Sequence, residues 1–118
     1  MNVFRAAAAA HEGSAVTGFF HGHAQLTGLA SAGPAPVRMS RVSFDAGART
    51  VWHSHEDGQL LVIVDGTGRV ASREHVESVG VGDVVWTDAG EEHWHGADDE
   101  GPLVHIAISL GETSWERP

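Results

Sequence analysis

The 118-residue chain is 42% hydrophobic, which suits one globular domain, and its formal net charge is −9. This acidic balance argues against nucleic acid or an anionic membrane as a partner, because phosphate groups are bound by basic surfaces. The chain has no cysteine, so a metal site must use histidine, carboxylate, amide or backbone oxygen.

The first 14 residues form an N-terminal lead-in, and residues 15–118 form the predicted domain. The lead-in contains Ala6–Ala10, and alanine favours helix, but so short a helix is marginal on its own. The same run is too short and too weakly apolar for the core of a signal peptide. No stretch approaches the roughly 20 apolar residues of a membrane helix. We therefore expect a soluble, cytoplasmic protein.

After the lead-in, short apolar runs alternate with clusters of Gly, Pro, Asp and Ser, a pattern typical of many short strands joined by turns. The glycines of Asp65–Gly68 predict a tight reversal of the chain. Gln59–Val64 is apolar on both faces, which suits a strand between the interior and a covering layer or second subunit. The predicted strands are Gly18–Thr27, Val37–Asp45, Val51–Ser54, Gln59–Asp65, Gly68–Arg73, Glu77–Val79, Val84–Thr87 and Leu103–Leu110.

Two histidines, His53 and His55, stand two residues apart. Because successive side chains of a strand point to opposite faces, both imidazoles lie on one face and can offer nitrogen to one cation. His93 and His95 repeat this spacing. The pattern predicts a metal site inside a small β-barrel. The two sequence blocks are Gly47-x5-His53-x-His55-x3-Gln59-x6-Gly66 and Gly82-x5-Asp88-x-Gly90-x2-His93.

These two blocks resemble the two motifs of the cupin family in all their spacings, and the resemblance covers residues 47–97. It implies an all-β fold, the cupin double-stranded β-helix or jelly-roll barrel, as a single domain. The sequence departs from the family pattern at Gln59, where glutamate is usual, and at Asp88 and Ala97, where proline and asparagine are usual. The last two departures affect a turn and a structural contact rather than ligands.

A closer resemblance is to small single-domain bacterial cupins that act as manganese-dependent (R)-hydroxynitrile lyases. It is carried by Gly47–His55, Gly82–Trp86 and His93–Ala97. It implies a metal set of three histidines and one glutamine. In this sequence these ligands are His53, His55, Gln59 and His93. His95 and His105 would then lie beside the metal without binding it.

Three neutral imidazoles and a neutral amide leave the charge of a divalent cation uncompensated, so Gln59 should sharpen the Lewis acidity of the metal. Manganese is the metal that the resemblance implies, while the ligand types also admit iron, zinc, nickel, cobalt and copper. In the lyase reaction the metal would orient a cyanohydrin, and His95 or His105 would take the hydroxyl proton. The choice between these two histidines stays open.

The predicted function is a metal-dependent lyase that cleaves or forms cyanohydrins, with a small molecule as substrate. One alternative is a metal-dependent cupin dioxygenase, which would consume oxygen. The other is a non-catalytic barrel that binds a small acid or sugar. The exposed outer faces and sheet edges of a small barrel also predict a homodimer or higher homo-oligomer.

Four other histidines, one aspartate and three tryptophans lie outside the predicted ligand set. His21 and His23 share a predicted strand face outside the two motifs, where we expect pocket lining or a subunit contact rather than a second metal site. His11 and His75 lie in polar segments and should be solvated. Asp83 is expected to close a turn through its side chain. Three tryptophans are expected on the face opposite the metal, namely Trp52, Trp86 and Trp94.

Overall fold

The described part of the chain, residues 1–5, 14–16, 18–34 and 37–116 of a computed structural model, folds entirely into β-strands and loops. Most of the predicted lead-in, with Ala6–Ala10 and His11, lies outside the described residues. Within the described ranges no helix is long and apolar enough to cross a membrane. The strands are β1 Ser14–Val16, β2 Phe20–His21, β3 Ala24–Ala32, β4 Val37–Phe44, β5 Arg49–Thr50, β6 His53–His55, β7 Gln59–Ser72, β8 Val76–Gly80, β9 Val84–Thr87, β10 His93–Ala97, β11 Leu103–Leu110 and β12 Thr113–Trp115.

All strand pairings are antiparallel, and they form two layers joined through β7. The main path of neighbouring strands runs β1-β3-β4-β11-β7-β10-β5-β2, and β8, β9, β6 and β12 pair at its sides. The first half of β7 lies between β9 and β11, and its second half lies between β8 and β10. The result is a nearly closed jelly-roll barrel, so the predicted all-β fold is confirmed.

The predicted reversal at Asp65–Gly68 is wrong, because β7 runs without interruption from Gln59 to Ser72. Gly66 has a positive φ of 78°, and the pairing with β11 shifts register nearby, between Val104 and His105. The two glycines allow close approach of neighbouring backbone instead of a hairpin. A Cβ atom at Gly66 would collide with the carbonyl of Pro102, and one at Gly68 with that of Gly96.

The ends of the chain also differ from the predicted strands. Gly18–Thr27 is not one strand, because Gly22 separates β2 from β3 with a φ of 82°. Gly22 also packs so closely on Ala48 that a Cβ would lie 2.9 Å from its Cα atom. At the other end, β12 was not predicted at all. This three-residue strand pairs with β6, which carries His53 and His55.

The barrel interior divides into an apolar end and a histidine end. β7, β10 and β11 contribute to both, since alternate residues of each strand face inward. The apolar end is the buried cluster Ala24, Val42, Phe44, Ala48, Ile63, Ala97 and Leu103. The histidine end consists of the buried side chains His53, His55, Gln59, His93, His95 and His105. The fold therefore collects these polar groups from four separate strands.

Candidate metal centre

The four side chains that the sequence predicts as metal ligands converge in the structure. Each is at most 4% exposed. His53 of β6 pairs directly with His93 of β10 across the sheet. Ring nitrogens of His53, His55 and His93 all lie within 4.8 Å of one another, which makes a group that can hold a metal ion.

Each of the three rings is oriented by a hydrogen bond at Nδ1. This atom of His53 donates to the carbonyl of Val51 at 2.9 Å, and that of His93 donates to the carbonyl of Glu91 at 3.0 Å. A carbonyl can only accept, so in a neutral ring the hydrogen sits on Nδ1 and Nε2 keeps its lone pair. Nδ1 of His55 lies 2.9 Å from the hydroxyl of Thr113. Such outer contacts orient the histidine ligands of metal sites.

Gln59 joins this group through its amide oxygen. Its Nε2 donates to Oγ of Ser109 at 3.0 Å, which leaves Oε1 directed at Nε2 of His93, 3.1 Å away. Both facing atoms carry lone pairs, so their approach is favourable only if a cation lies between them. Two ligands about 2.1 Å from one cation at a right angle are separated by about 3.0 Å. The spacing of Gln59 and His93 fits a shared metal ion.

The third observation that fits a metal is an unpaired buried atom. Nε2 of His55 is inaccessible to solvent and has no hydrogen-bond partner among the described residues. A buried polar atom without a partner is costly, and native structures seldom keep one without a reason. A cation bound by the neighbouring rings would satisfy it.

Burial also keeps these imidazoles neutral. Desolvation, together with repulsion from a charged His93 ring, lowers the pKa of His53 to about 3 and that of His55 to about 4. Burial likewise lowers the pKa of His93. Since the ordinary value is 6.5, all three rings are unprotonated at neutral pH. A neutral imidazole is the form that binds a metal.

Two further buried histidines, His95 and His105, form a row of ring contacts that starts at His53. Nε2 of His95 lies 3.2 Å from Nε2 of His53, and Nε2 of His105 lies 2.8 Å from Nδ1 of His95. Without a metal, Nε2 of His53 holds a free lone pair, so His95 donates to it and His105 donates to Nδ1 of His95. A cation bound through this lone pair would end the first hydrogen bond, and the hydrogen of His95 could then move to Nδ1, with Nε2 of His105 as its acceptor. The ring of Phe44 packs against both. Complete burial lowers the pKa of His105 to about 4 and that of His95 well below its ordinary value.

A cavity of about 180 Å³ reaches the site from one side. Its wall includes His93 at the inner end and Trp86 and Glu91 nearer the surface, with Leu61 and Val85 on its apolar side. Neither His95 nor His105 is part of this wall. His93 is the one candidate ligand that lines this cavity.

His21 and His23 do not share a strand face, which corrects the expectation for this pair. β2 ends at His21, and Gly22 turns the chain before His23. Both side chains are exposed. His21 lines a groove with Arg49 and Trp94, and none of the buried histidines is part of that groove.

The tryptophans, Asp83 and His75 lie at the surface or in turns. The guanidinium of Arg73 lies 3.8 Å from the ring centre of Trp52, and that of Arg49 lies 4.7 Å from Trp94. Trp86 is 51% exposed. Asp83 accepts a hydrogen bond from the backbone of Gly80 at 2.8 Å and so closes a turn. His75 is exposed in the turn before β8.

Two polar residues of the site were not assigned a role from the sequence. Ser109 stands four residues after His105 on β11, so its inward direction follows from strand alternation, but its contact with Gln59 does not. Thr113 lies on the unpredicted strand β12, opposite His55. No local sequence signal near Thr113 indicates its contact with the ring.

A jelly-roll barrel with histidines from paired inner strands is the architecture of a cupin, and the sequence comparison agrees. Residues 40–109, more than half of the chain, match the cupin domain. The chain therefore belongs to the cupin family.

Among particular relatives, an (R)-mandelonitrile lyase from Granulicella tundricola is 48% identical over 77 residues. The match covers 64% of this chain and spans 58% of the length of that relative. A cupin-like protein from Thermotoga maritima has a TM-score of 0.84 and 35% identity, over 89% of this chain and 85% of the other. A cupin-2 domain from Rhodospirillum rubrum, with a TM-score of 0.73 and 13% identity over 90% and 76%, shares the fold.

Proposed function

We propose that this protein is a metal-dependent lyase that cleaves a cyanohydrin into an aldehyde and cyanide, or joins the two in the reverse direction. The observation that carries the proposal is the position of His95. Its Nε2 lies 3.2 Å from Nε2 of His53, so a proton acceptor stands beside the candidate metal ligands. The similarity to an (R)-mandelonitrile lyase supports the same reaction.

The proposed metal ligands are His53, His55, Gln59 and His93. The inward lone pairs of these groups and the unpaired Nε2 of His55 support this set. We propose manganese as the metal, on the resemblance to manganese-dependent lyases. When bound, a divalent cation supplies Lewis acidity that polarises the substrate oxygen and lowers the pKa of its hydroxyl group. All four ligands are neutral, so the protein leaves the charge of the cation uncompensated.

The proposed base is His95. In the cleavage direction its Nε2 takes the hydroxyl proton, the C–O bond becomes a carbonyl, and cyanide leaves with the electron pair of the broken C–C bond. The proton on His95 then passes to cyanide. When Nε2 is free to act, the hydrogen of the neutral ring is on Nδ1, where Nε2 of His105 is in position to accept it. His105 is thus a positioning residue for the base.

Burial keeps His95 in the unprotonated form, which is the form that can accept a proton. Desolvation and the neighbouring imidazoles lower its pKa well below the ordinary value, so the unprotonated form predominates. A positioned base of this kind contributes about 10²- to 10⁴-fold to the rate.

The test is cyanohydrin cleavage by untagged protein with and without added manganese, using each enantiomer of mandelonitrile and following aldehyde and cyanide release. We expect metal-dependent release that favours the (R) enantiomer. An oxygen electrode in the same assay separates the alternatives, since a dioxygenase consumes oxygen and a lyase does not. Metal-loaded protein that neither releases cyanide nor consumes oxygen would favour the ligand-binding barrel.

We also propose that two copies associate through the outer face of one layer. This outer apolar face consists of Leu60, Val62, Val84, Trp86, Ile106 and Ile108. Val84 and Trp86 are more than half exposed, and none of the six is charged. In a chain with a net charge of −9, two copies repel over most of their surface, so an uncharged apolar face is the favourable contact. A cytoplasmic location stays a prediction.

A further inference from the structure

Arg38 is a cationic side chain at the inward-facing end of β4. It lies an even number of residues from Val42 and Phe44 and so shares their strand face, and those two side chains belong to the buried apolar cluster. Arg38 itself is only partly buried. Its Nη2 donates to the carbonyl of Gly111 at 2.6 Å and to Oγ1 of Thr113 at 3.0 Å. One guanidinium nitrogen therefore ties β4 to the loop that leads into β12.

Thr113 also contacts a candidate metal ligand. Its Oγ1 lies 2.9 Å from Nδ1 of His55, and the two residues face each other in the pairing of β12 with β6. β12 has three residues, and β6 is its strand partner in the described sheet. So short a strand makes few backbone hydrogen bonds, and the side-chain hydrogen bonds of Arg38 stabilise its position further.

The contact with Arg38 leaves the Thr113 hydroxyl able to accept a hydrogen bond from His55. Arg38 can only donate, and the Thr113 hydroxyl has two lone pairs, so Oγ1 can accept from Arg38 and from Nδ1 of His55 together. With its hydrogen on Nδ1, the neutral ring keeps a lone pair on Nε2, the buried atom that lacks a partner. The opposite tautomer would direct an N–H at the other candidate ligands and block a cation.

We propose that Arg38 and Thr113 are positioning residues for the metal centre, with Arg38 holding the Thr113 hydroxyl and Thr113 holding the His55 ring so that Nε2 is directed at the cation. This inference rests on the proposed metal ligands but not on the proposed reaction. Both residues lie outside the two sequence blocks between Gly47 and His93.

The test compares metal affinity of the full chain across a small set of variants, measured by competition with a chelator. Thr113→Val keeps the shape of the side chain and removes the acceptor, and Thr113→Ser keeps the hydroxyl as the matched control. We expect Thr113→Val and Arg38→Met each to weaken zinc and manganese binding about 10- to 100-fold, as loss of an outer partner typically does. Thr113→Ser should stay within about threefold of the wild type.

The double variant tests the order of the contacts. Because Arg38 acts through Thr113, Arg38→Met combined with Thr113→Val should bind metal no more weakly than Thr113→Val alone. Additive losses, or affinities of both single variants equal to the wild type, would overturn the inference. Thermal melting identifies any variant that fails to fold.

If a variant fails to fold, a measurement on the wild-type protein tests the same inference. In zinc-loaded protein labelled with ¹⁵N-histidine, the ring resonances of His55 should report a metal-bound Nε2 and a protonated Nδ1. Coordination through Nδ1 would contradict the proposed arrangement. A wild type that binds zinc but cleaves no cyanohydrin would count against the lyase reaction alone, whereas a wild type that binds no metal would remove the common basis of both proposals.

Discussion

The two ends of the barrel interior are built on the same strands but have opposite energetic roles. At the apolar end, side chains such as Phe44, Ile63 and Leu103 are at most 1% exposed, and their burial stabilises the fold by roughly 25 cal/mol per Å² of apolar area. At the histidine end, equally buried imidazoles lose hydration, which costs stability unless each nitrogen finds a partner. Burial at the apolar end therefore supplies stability, whereas the proposed chemistry belongs to the histidine end.

The largest expected effect is the loss of the metal from the histidine end. His53→Ala removes one of three converging imidazoles, so the metal content should fall from about one equivalent per chain to background. Elemental analysis of untagged protein measures this. His75→Ala, which removes an exposed histidine, is the matched control and should keep the metal. Metal retained by the His53 variant, or lost equally from both, would show that the metal is bound elsewhere.

Removal of the proposed base should affect turnover without releasing the metal. We expect His95→Ala to lower kcat for cyanohydrin cleavage by about 10²- to 10⁴-fold, because a positioned general base contributes that much. His105→Ala should have a smaller effect, since it disturbs only the orientation of His95. Steady-state kinetics with metal content measured on the same samples separates the two. Undiminished turnover in the His95 variant would exclude its role as the base.

The histidine end was easier to predict from the sequence than its surroundings. The spacing of His53 and His55 indicates a common strand face, the second motif adds His93, and the structure brings these three rings together. His105, which the resemblance places beside the metal, is completely buried. These relations are local, because side-chain alternation along a strand follows from backbone geometry alone.

Contacts between distant segments were not predictable in the same way. Thr113 lies 58 positions from His55, and Arg38 lies 75 positions from Thr113, so no spacing rule connects the three residues. The glycines of β7 were misread because glycine serves both tight turns and close backbone approach, and only the position of Gly96 and Pro102 decides between them. Ring tautomers depend on backbone carbonyls whose positions follow from the complete fold.

A substitution at the apolar end should lower the stability of the fold and leave metal binding unchanged, whereas the His53 variant should lose the metal. Leu103→Ala leaves a cavity in the buried cluster, and such substitutions cost about 2–5 kcal/mol in the free energy of unfolding. Metal affinity of the folded variant should stay near that of the wild type, because Leu103 is not among the converging ligands. Denaturant unfolding and chelator competition provide the two numbers. A large loss of metal affinity in fully folded protein would mean that the two ends are coupled.

Lowering the pH should destabilise the histidine end of the metal-free protein. Burial lowers the pKa of His53 to about 3 and those of His55 and His105 to about 4, against 6.5 for an exposed imidazole. Below pH 6.5 the unfolded chain therefore takes up protons that the folded chain does not. Stability is then full above pH 6.5 and falls as the pH drops toward 4, by up to about 1.4 kcal/mol per pH unit for each such histidine.

Denaturant unfolding of metal-free protein across this pH range measures the slope directly. His105→Asn removes one of the titrating rings and should give a shallower dependence than the wild type. A stability that does not change between pH 6.5 and pH 4 would mean that the imidazoles are less shielded from solvent than their burial implies.

The smallest effect on either end is expected from the outer apolar face, which lies on the opposite side of the same strands. Val84→Lys puts a charge on the proposed contact, and burying an unpaired ammonium is costly, so the dimer should dissociate to monomers. Light scattering coupled to size exclusion measures the molar mass. Val76→Lys changes a similarly exposed valine on β8, away from that face, and should stay dimeric. If the Val84 variant becomes monomeric yet keeps its metal and its unfolding free energy, both ends of the interior are complete within one chain. Simultaneous loss of metal would instead mean that the outer contact supports the histidine end.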